Sequence, residues 1–269
     1  MKKVTINDDF DLDKIIASGQ CFRPKKTGER TYEFVTGDHR VTIKDETDKK
    51  DKGVTSLSVS CPKKEWEDVW HPYFDLDTNY RKIRESIPKS DKYLMGAAEY
   101  GKGIRILRQD KFEMLISFII SQRKSIPAIR TSIERLVGLY GHDVFFPKPE
   151  DMLKATDEEL RSCGLGYRLP YVRKAAERVA LHEVDLEALD ELSDEELFTR
   201  LKSFAGVGDK VANCIALFAY HRTGRAPVDT WIARVINERY AGINPFPRYG
   251  NVAGIMQQYL FYNSQGKQK

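Results

Sequence analysis

The sequence predicts an α+β protein: a small N-terminal antiparallel β-sheet lobe followed by a mostly α-helical body. Three observations point there. Short runs with rough alternation and β-branched residues occupy the first quarter of the chain. The apolar period then changes from strand-like to helical at about residue 63. Further on, two Ser/Thr-x-x-Glu capping boxes open short helices.

Residues 32–35, 40–44 and 56–60 read as strands. Gly37-Asp38 and the charged stretch 45–52 punctuate them, as expected of hairpins, with 48–52 a solvated tip. Asp75, Asp77 and Thr78 are candidate caps for a helix reaching Ile87, which Pro88 stops. The apolar run 112–120 continues towards Arg135 and Leu136 as one or two largely buried helices. Thr156-Asp-Glu-Glu opens a helix ending at Cys163-Gly164, residues 171–181 form another, and Ser193-Asp-Glu-Glu opens one reaching Ser203. The expected division is a β lobe over residues 1–100, helical from about 63, and a helical body over 101–269 with a helical hairpin at 201–222. No internal repeat or low-complexity linker interrupts it.

Composition excludes several classes. With 269 residues the chain can bury a substantial core. No stretch approaches the roughly 20 apolar residues that span a bilayer, so no membrane role is expected. The opening MKKVTINDDF has no apolar run and does not read as a secretory signal. The four cysteines, Cys21, Cys61, Cys163 and Cys214, are scattered without metal-ligand spacing, so reduced thiols, no metal and no cofactor are expected. That fits a cytoplasmic protein, or a nuclear one in a eukaryote. A net charge of +4 permits nucleic-acid binding without demanding it.

The chemistry concentrates in LKSFAGVGDKVANCIALFAYHRTGRAPVDTWIARVINER, residues 201–239. One helix ends near Ser203, Gly206-Val207-Gly208 makes a tight turn, and a second helix starts at Asp209. This helix-hairpin-helix offers backbone amides and a helix N-terminus to a phosphate, whatever the base sequence. Lys210 falls in the first turn of the second helix, where the helix dipole disfavours a cation and pushes its pKa below about 10.4. A neutral amine is what a Schiff-base nucleophile needs. Asp229 follows 19 positions later (229 − 210), after a Gly/Pro turn, where it can cap the helix beginning at Thr230. Taken singly, Gly-x-Gly-x-Lys is a weak motif and an Asp before a helix is an ordinary cap; their joint arrangement carries more.

This segment resembles the helix-hairpin-helix and Gly/Pro-Asp motif of base-excision DNA glycosylases, most closely the 8-oxoguanine branch. The resemblance implies that Lys210 attacks C1′ of the damaged nucleotide and that Asp229 stabilises positive charge developing on the sugar. It also implies a bifunctional enzyme with β-lyase activity. Ser18-Gly-Gln-Cys-Phe-Arg23 resembles the family's N-terminal signature, which gives the Gly19 carbonyl the task of sensing the extra N7 proton of 8-oxoguanine. Residues 101–110 and 115–121 resemble the entry to the family's helical domain. Gly164-Leu-Gly-Tyr-Arg168 resembles the loop pressed into the DNA stack, with Tyr167 as wedge and Arg168 as donor to the orphaned base. Gly254-x-x-Gln257-x-x-x-Phe261 resembles the C-terminal helix that supplies a base-edge hydrogen bond and a stacking ring. On this reading Cys214 and Phe261 cover the two faces of the flipped base. By themselves a lone cysteine and an aromatic run are ordinary core features. The implied partner is double-stranded DNA containing an oxidised purine, acted on by a monomer.

The chain also departs from the family. Gln122-Arg-Lys-Ser125 stands where an Asn-rich turn fills the gap, so Arg123 is the candidate there. Ala128 stands where eukaryotic members have a cytosine-reading arginine. Trp231, in place of a histidine, reads as a core residue. The C-terminal four-cysteine iron–sulfur loop of some relatives is absent. The alternatives are the same machinery acting on alkylated or other oxidised bases, or a non-catalytic hairpin module that only binds DNA.

Overall fold

The computed structural model describes residues 1–48 and 53–266. Residues 49–52 of the expected hairpin tip lie outside the described residues. The chain forms two compact units: one of residues 1–34, 40–108 and 222–269, the other of 35–39 and 109–221.

The first unit carries a five-stranded antiparallel sheet of β1 (Lys2–Ile6), β2 (Lys25–Gly28), β3 (Thr31–Thr36), β4 (His39–Asp45) and β5 (Thr55–Val59), in the order β1-β5-β4-β3-β2. Val4 pairs with Leu57 and Ile43 with Val59. Alternation sends Phe34, Val41, Ile43, Leu57 and Val59 into a core closed by Trp66, Trp70 and Phe74. The three strands expected from sequence are present. β1 and β2 are additions, and β2 is an edge strand whose four residues are all exposed, so it carries no apolar signal.

A buried cation joins the sheet to the helices that follow. The Arg105 guanidinium is fully buried. It donates to Asp8 Oδ2 at 2.9 Å, to the carbonyls of Asp9 and Phe74 at 2.9 Å each, and to Thr78 O at 2.6 Å. The Tyr80 ring lies 4.2 Å from it. Burial alone would raise the Asp8 pKa, but the Arg105 hydrogen bond and the amides of Arg81, Asp9 and Tyr80 outweigh it and hold the carboxyl below its usual range.

The helix expected to be capped at 75–78 begins later. It spans Tyr80–Glu85 and is capped by Asn79, whose side chain accepts from Lys82 N at 2.8 Å. Asp75 is otherwise engaged: it is buried at φ 51° and accepts from Tyr80 Oη at 2.9 Å. The C-terminal helices Thr230–Arg239 and Ala253–Gly266 complete this unit and pack on each other. Trp231 is half-buried, contrary to the core position expected. The face this helix buries is Ile232, Val235 and Ile236, and Trp231, one turn before Val235 in the helix's first turn, lies at the margin of that stripe.

The second unit is helical. The helix Lys111–Ser121 is buried over all but its first residue and serves as its axis. The helix Ile126–Tyr140 follows after the turn 122–125, so the apolar run is two helices. Both capping boxes form: Thr156 with Glu159 opens Asp157–Ser162, and Ser193 with Glu196 opens Asp194–Lys202. Leu169–Ala180 and Asp209–Phe218 complete the set used below. All four cysteines are buried and none is in a disulfide. No helix among the described residues is long and apolar enough to cross a membrane.

Candidate active site and nucleic-acid interface

The second unit holds the hairpin. Asp194–Lys202 ends in Ser203, Phe204 turns into the core, and Val207 N donates back to Phe204 O at 3.0 Å. Gly206 sits at φ 80°, where a side chain is strained, and a Cβ there would lie 2.5 Å from the Tyr171 ring. Gly208 is a glycine for a different reason. Its backbone is extended and a Cβ would meet open space, so glycine keeps clear the approach to the helix beginning at Asp209. Gly208 supplies no side-chain cap, which leaves that helix's first amides without a side-chain acceptor.

Lys210 stands in the first turn of that helix, half-buried, with its ammonium 5.7 Å from the Phe118 ring centroid. Phe118 in turn stacks on Phe218 at 5.6 Å. Among the described residues of its unit, Lys210 has no carboxylate partner; the nearby Asp209 pairs instead with Lys202 at 2.6 Å. Cys214 follows one helical turn on and is buried. The sequence did not single out Phe118; only its place in an apolar run announced it.

The same unit gathers the expected DNA-contacting side chains. Tyr167 is 51% exposed in the turn Gly166–Arg168 and meets the Tyr171 ring edge-on, centroids 6.4 Å apart. Arg168 is buried beneath it, with its guanidinium carbon 4.3 Å from the Tyr167 ring. It donates through Nε to Gln122 O at 2.8 Å, again to the same carbonyl through Nη2, and to Leu165 O at 3.3 Å. Lys124 donates to Ser132 Oγ and, at 2.7 Å, to Gly164 O. Arg123 is exposed at φ 51°, at the apex of the turn so held. Burial, and then the charges of Arg168 and Arg135, push the Lys124 ammonium below its ordinary pKa. A cluster of cations whose hydrogen bonds go to neutral oxygens attracts an anion.

The first unit holds the other expected residues. Gly19 is at φ 79° in the segment 18–20, which is fixed on both sides. Gln258 donates from the C-terminal helix to Ser18 O. Gln20 donates to Arg105 O and accepts from Leu107 N, each at 2.8 Å. Gln257, the neighbour of Gln258, is buried, and its Oε1 has no hydrogen-bond partner among the described residues. Such an atom costs about 1–3 kcal/mol unless a ligand satisfies it. Phe261, one turn further along the same helix, is half-buried. Asp229 caps Thr230–Arg239, Oδ1 accepting from Ile232 N at 2.9 Å. Sequence reasoning missed Gln258 as the residue strapping the Gly19 segment.

A glycine hairpin leading into a helix N-terminus, a lysine in that helix's first turn beside an aromatic ring and an exposed tyrosine on a nearby turn are the features expected of a DNA-lesion-processing class. Residues 3–115 match the 8-oxoguanine DNA glycosylase N-terminal domain, and residues 116–260 match the HhH-GPD superfamily base excision DNA repair protein. The chain belongs to the HhH-GPD base-excision DNA repair superfamily, within its 8-oxoguanine DNA glycosylase family. It is 30% identical to a probable N-glycosylase/DNA lyase of Methanothermobacter thermautotrophicus, covering 96% of this chain and 94% of that protein. It is similar to the structure of MBOgg1 in complex with a low-affinity DNA ligand, with a TM-score of 0.89 and 33% identity over 100% of this chain and 97% of the other. It is also similar to the Clostridium acetobutylicum 8-oxoguanine glycosylase/lyase bound to double-stranded DNA containing cytosine opposite 8-oxoG. There the TM-score is 0.86, with 29% identity over 100% and 99% of the two chains.

Proposed function

We propose that this protein excises 8-oxoguanine from duplex DNA and then cleaves the strand, with Lys210 as the nucleophile. The observation that carries the reading is Lys210 itself: a lysine in the first turn of the hairpin helix, on the Phe118 ring, with no carboxylate partner in its unit. The family membership supports both the lesion and the lyase step.

The Lys210 amine attacks C1′ of the damaged nucleotide. The N-glycosidic bond breaks, and its electron pair leaves with the base, which takes up a proton. The nitrogen gives up one proton, the C1′–O4′ bond breaks with its electron pair going to O4′, which takes up a proton, and C1′ becomes a protonated Schiff base. Loss of a proton from C2′ then expels the 3′ phosphate and breaks the C3′–O bond. Asp229, whose Oδ2 is not needed for the cap, supplies negative charge to the sugar as it becomes cationic. The Gly19 carbonyl accepts the lesion's N7 proton, Gln257 satisfies its buried oxygen on the base edge, and Phe261 offers a stacking ring. Cys214 contributes a small apolar face beside the nucleophile. The enzyme acts as a monomer wherever the cell keeps its DNA.

Borohydride trapping on an 8-oxoguanine duplex tests the assignment. Wild-type protein should form a covalent adduct; Lys210→Gln should form none and release no base while still binding lesion DNA. Substantial strand cleavage by Lys210→Gln would sink it.

A further inference from the structure

We propose that Tyr171 is a positioning residue that fixes the Tyr167 wedge against the phosphate-gripping hairpin, so that a paired base is forced out by the two acting together. The inference rests on the glycosylase reading above.

Tyr171 stands in the first turn of the helix Leu169–Ala180, immediately after the turn that carries Tyr167. One face of its ring lies against Gly206: a Cβ on that glycine would fall 2.5–3.0 Å from three ring carbons, so nothing but glycine admits the ring there. Its edge contact with Tyr167 is within the 4.5–7 Å range of favourable aromatic pairs. The far end of the same helix is anchored to the hairpin too. Arg178 donates to Ser203 O at 2.9 Å, where the first hairpin helix ends, and its guanidinium lies 4.5 Å from the Phe204 ring. The helix is therefore held to the hairpin near each end, and Tyr167 projects from its start.

The chemistry of extrusion gives that bar a purpose. Forcing a base out of the stack costs least when its pairing is already lost. A wedge that recoils when pressed into the duplex does no work, whereas a wedge braced on the element holding the phosphates does. Tyr167 by itself is a half-exposed ring on a short turn. Tyr171 supplies the brace.

The test compares 8-oxoguanine opposite cytosine with 8-oxoguanine opposite an abasic-site analogue, in single-turnover excision. Tyr171→Ala should slow excision from the paired duplex by about tenfold or more, on the scale of one lost stacking contact. Excision opposite the abasic analogue should stay near the wild-type rate. Tyr171→Phe, which keeps the ring, should restore the paired rate, and Tyr167→Ala should reproduce the substrate-dependent loss without touching the hairpin. Equal slowing on both duplexes, or no slowing on either, would overturn the proposal. Wild-type activity on the two duplexes reports on the lesion assignment and the ratio between them on Tyr171, so the two readings fail separately.

Discussion

Two residues serve two ends each, and experiment can separate them. Asp229 is a helix cap as well as the proposed charge partner of the sugar. Asparagine caps about as well as aspartate, so Asp229→Asn should melt like wild type. Its single-turnover excision should fall on the order of 10²-fold, the scale of a lost preorganised charge. Unchanged kinetics would reduce Asp229 to its cap. Arg168 is the second case. The resemblance makes it a donor to the orphaned base, yet it is buried with three of its donor groups on the carbonyls of Gln122 and Leu165. Ala128, exposed at the start of its helix, offers no donor either. One base-edge contact discriminates by about 1–3 kcal/mol, so losing one should compress the preference for cytosine by roughly one to two decades. Excision opposite adenine, guanine or thymine should stay within reach of excision opposite cytosine. A measured preference above about 10³-fold, more than one lost contact would leave, would mean that Arg123 restores the reading.

At the scale of elements, the hairpin depends on a single backbone position. Gly206→Ala imposes a side chain at φ 80° and drives it into Tyr171. Strain of this kind costs about 1–3 kcal/mol, which thermal melting should register as a lower midpoint; an unchanged midpoint would show that the turn relaxes freely. Elements were legible where local chemistry decides them. Both capping boxes, the Asp229 cap and three strands follow from side chains within a few residues of one another. The cap at Asn79 was obscured because Asp75, a fitting cap by type, is drawn into the core by Tyr80. β2 was obscured because an exposed edge strand of Lys, Lys, Thr and Gly has no pattern to read. Of the candidate site, Lys210, Asp229 and the hairpin glycines were legible from spacing. Phe118, Tyr171 and Gln258 were not, because their roles come from tertiary neighbours 92, 35 and 240 positions away respectively.

The whole molecule carries only a small excess of positive charge, +4 over 269 residues, so binding to undamaged duplex must depend on where cations gather. The face around Lys124, Arg123 and Arg135 is such a place. Phosphate contacts release counterions, so affinity for undamaged duplex should fall steeply between about 50 and about 200 mM salt; a flat response would contradict a DNA-tracking surface. The first unit is also discontinuous, built from the beginning, the middle and the last stretch of the chain. The hydrogen bond from Gln258 to Ser18 joins residues 240 positions apart. During synthesis the hairpin and Lys210 emerge while the Gly19 segment still lacks its strap and the helix bearing Gln257 and Phe261 has not been made. The segment proposed to sense the lesion is thus completed after the hairpin, so a nascent or truncated chain that already carries Lys210 does not yet have the residues proposed to choose a base.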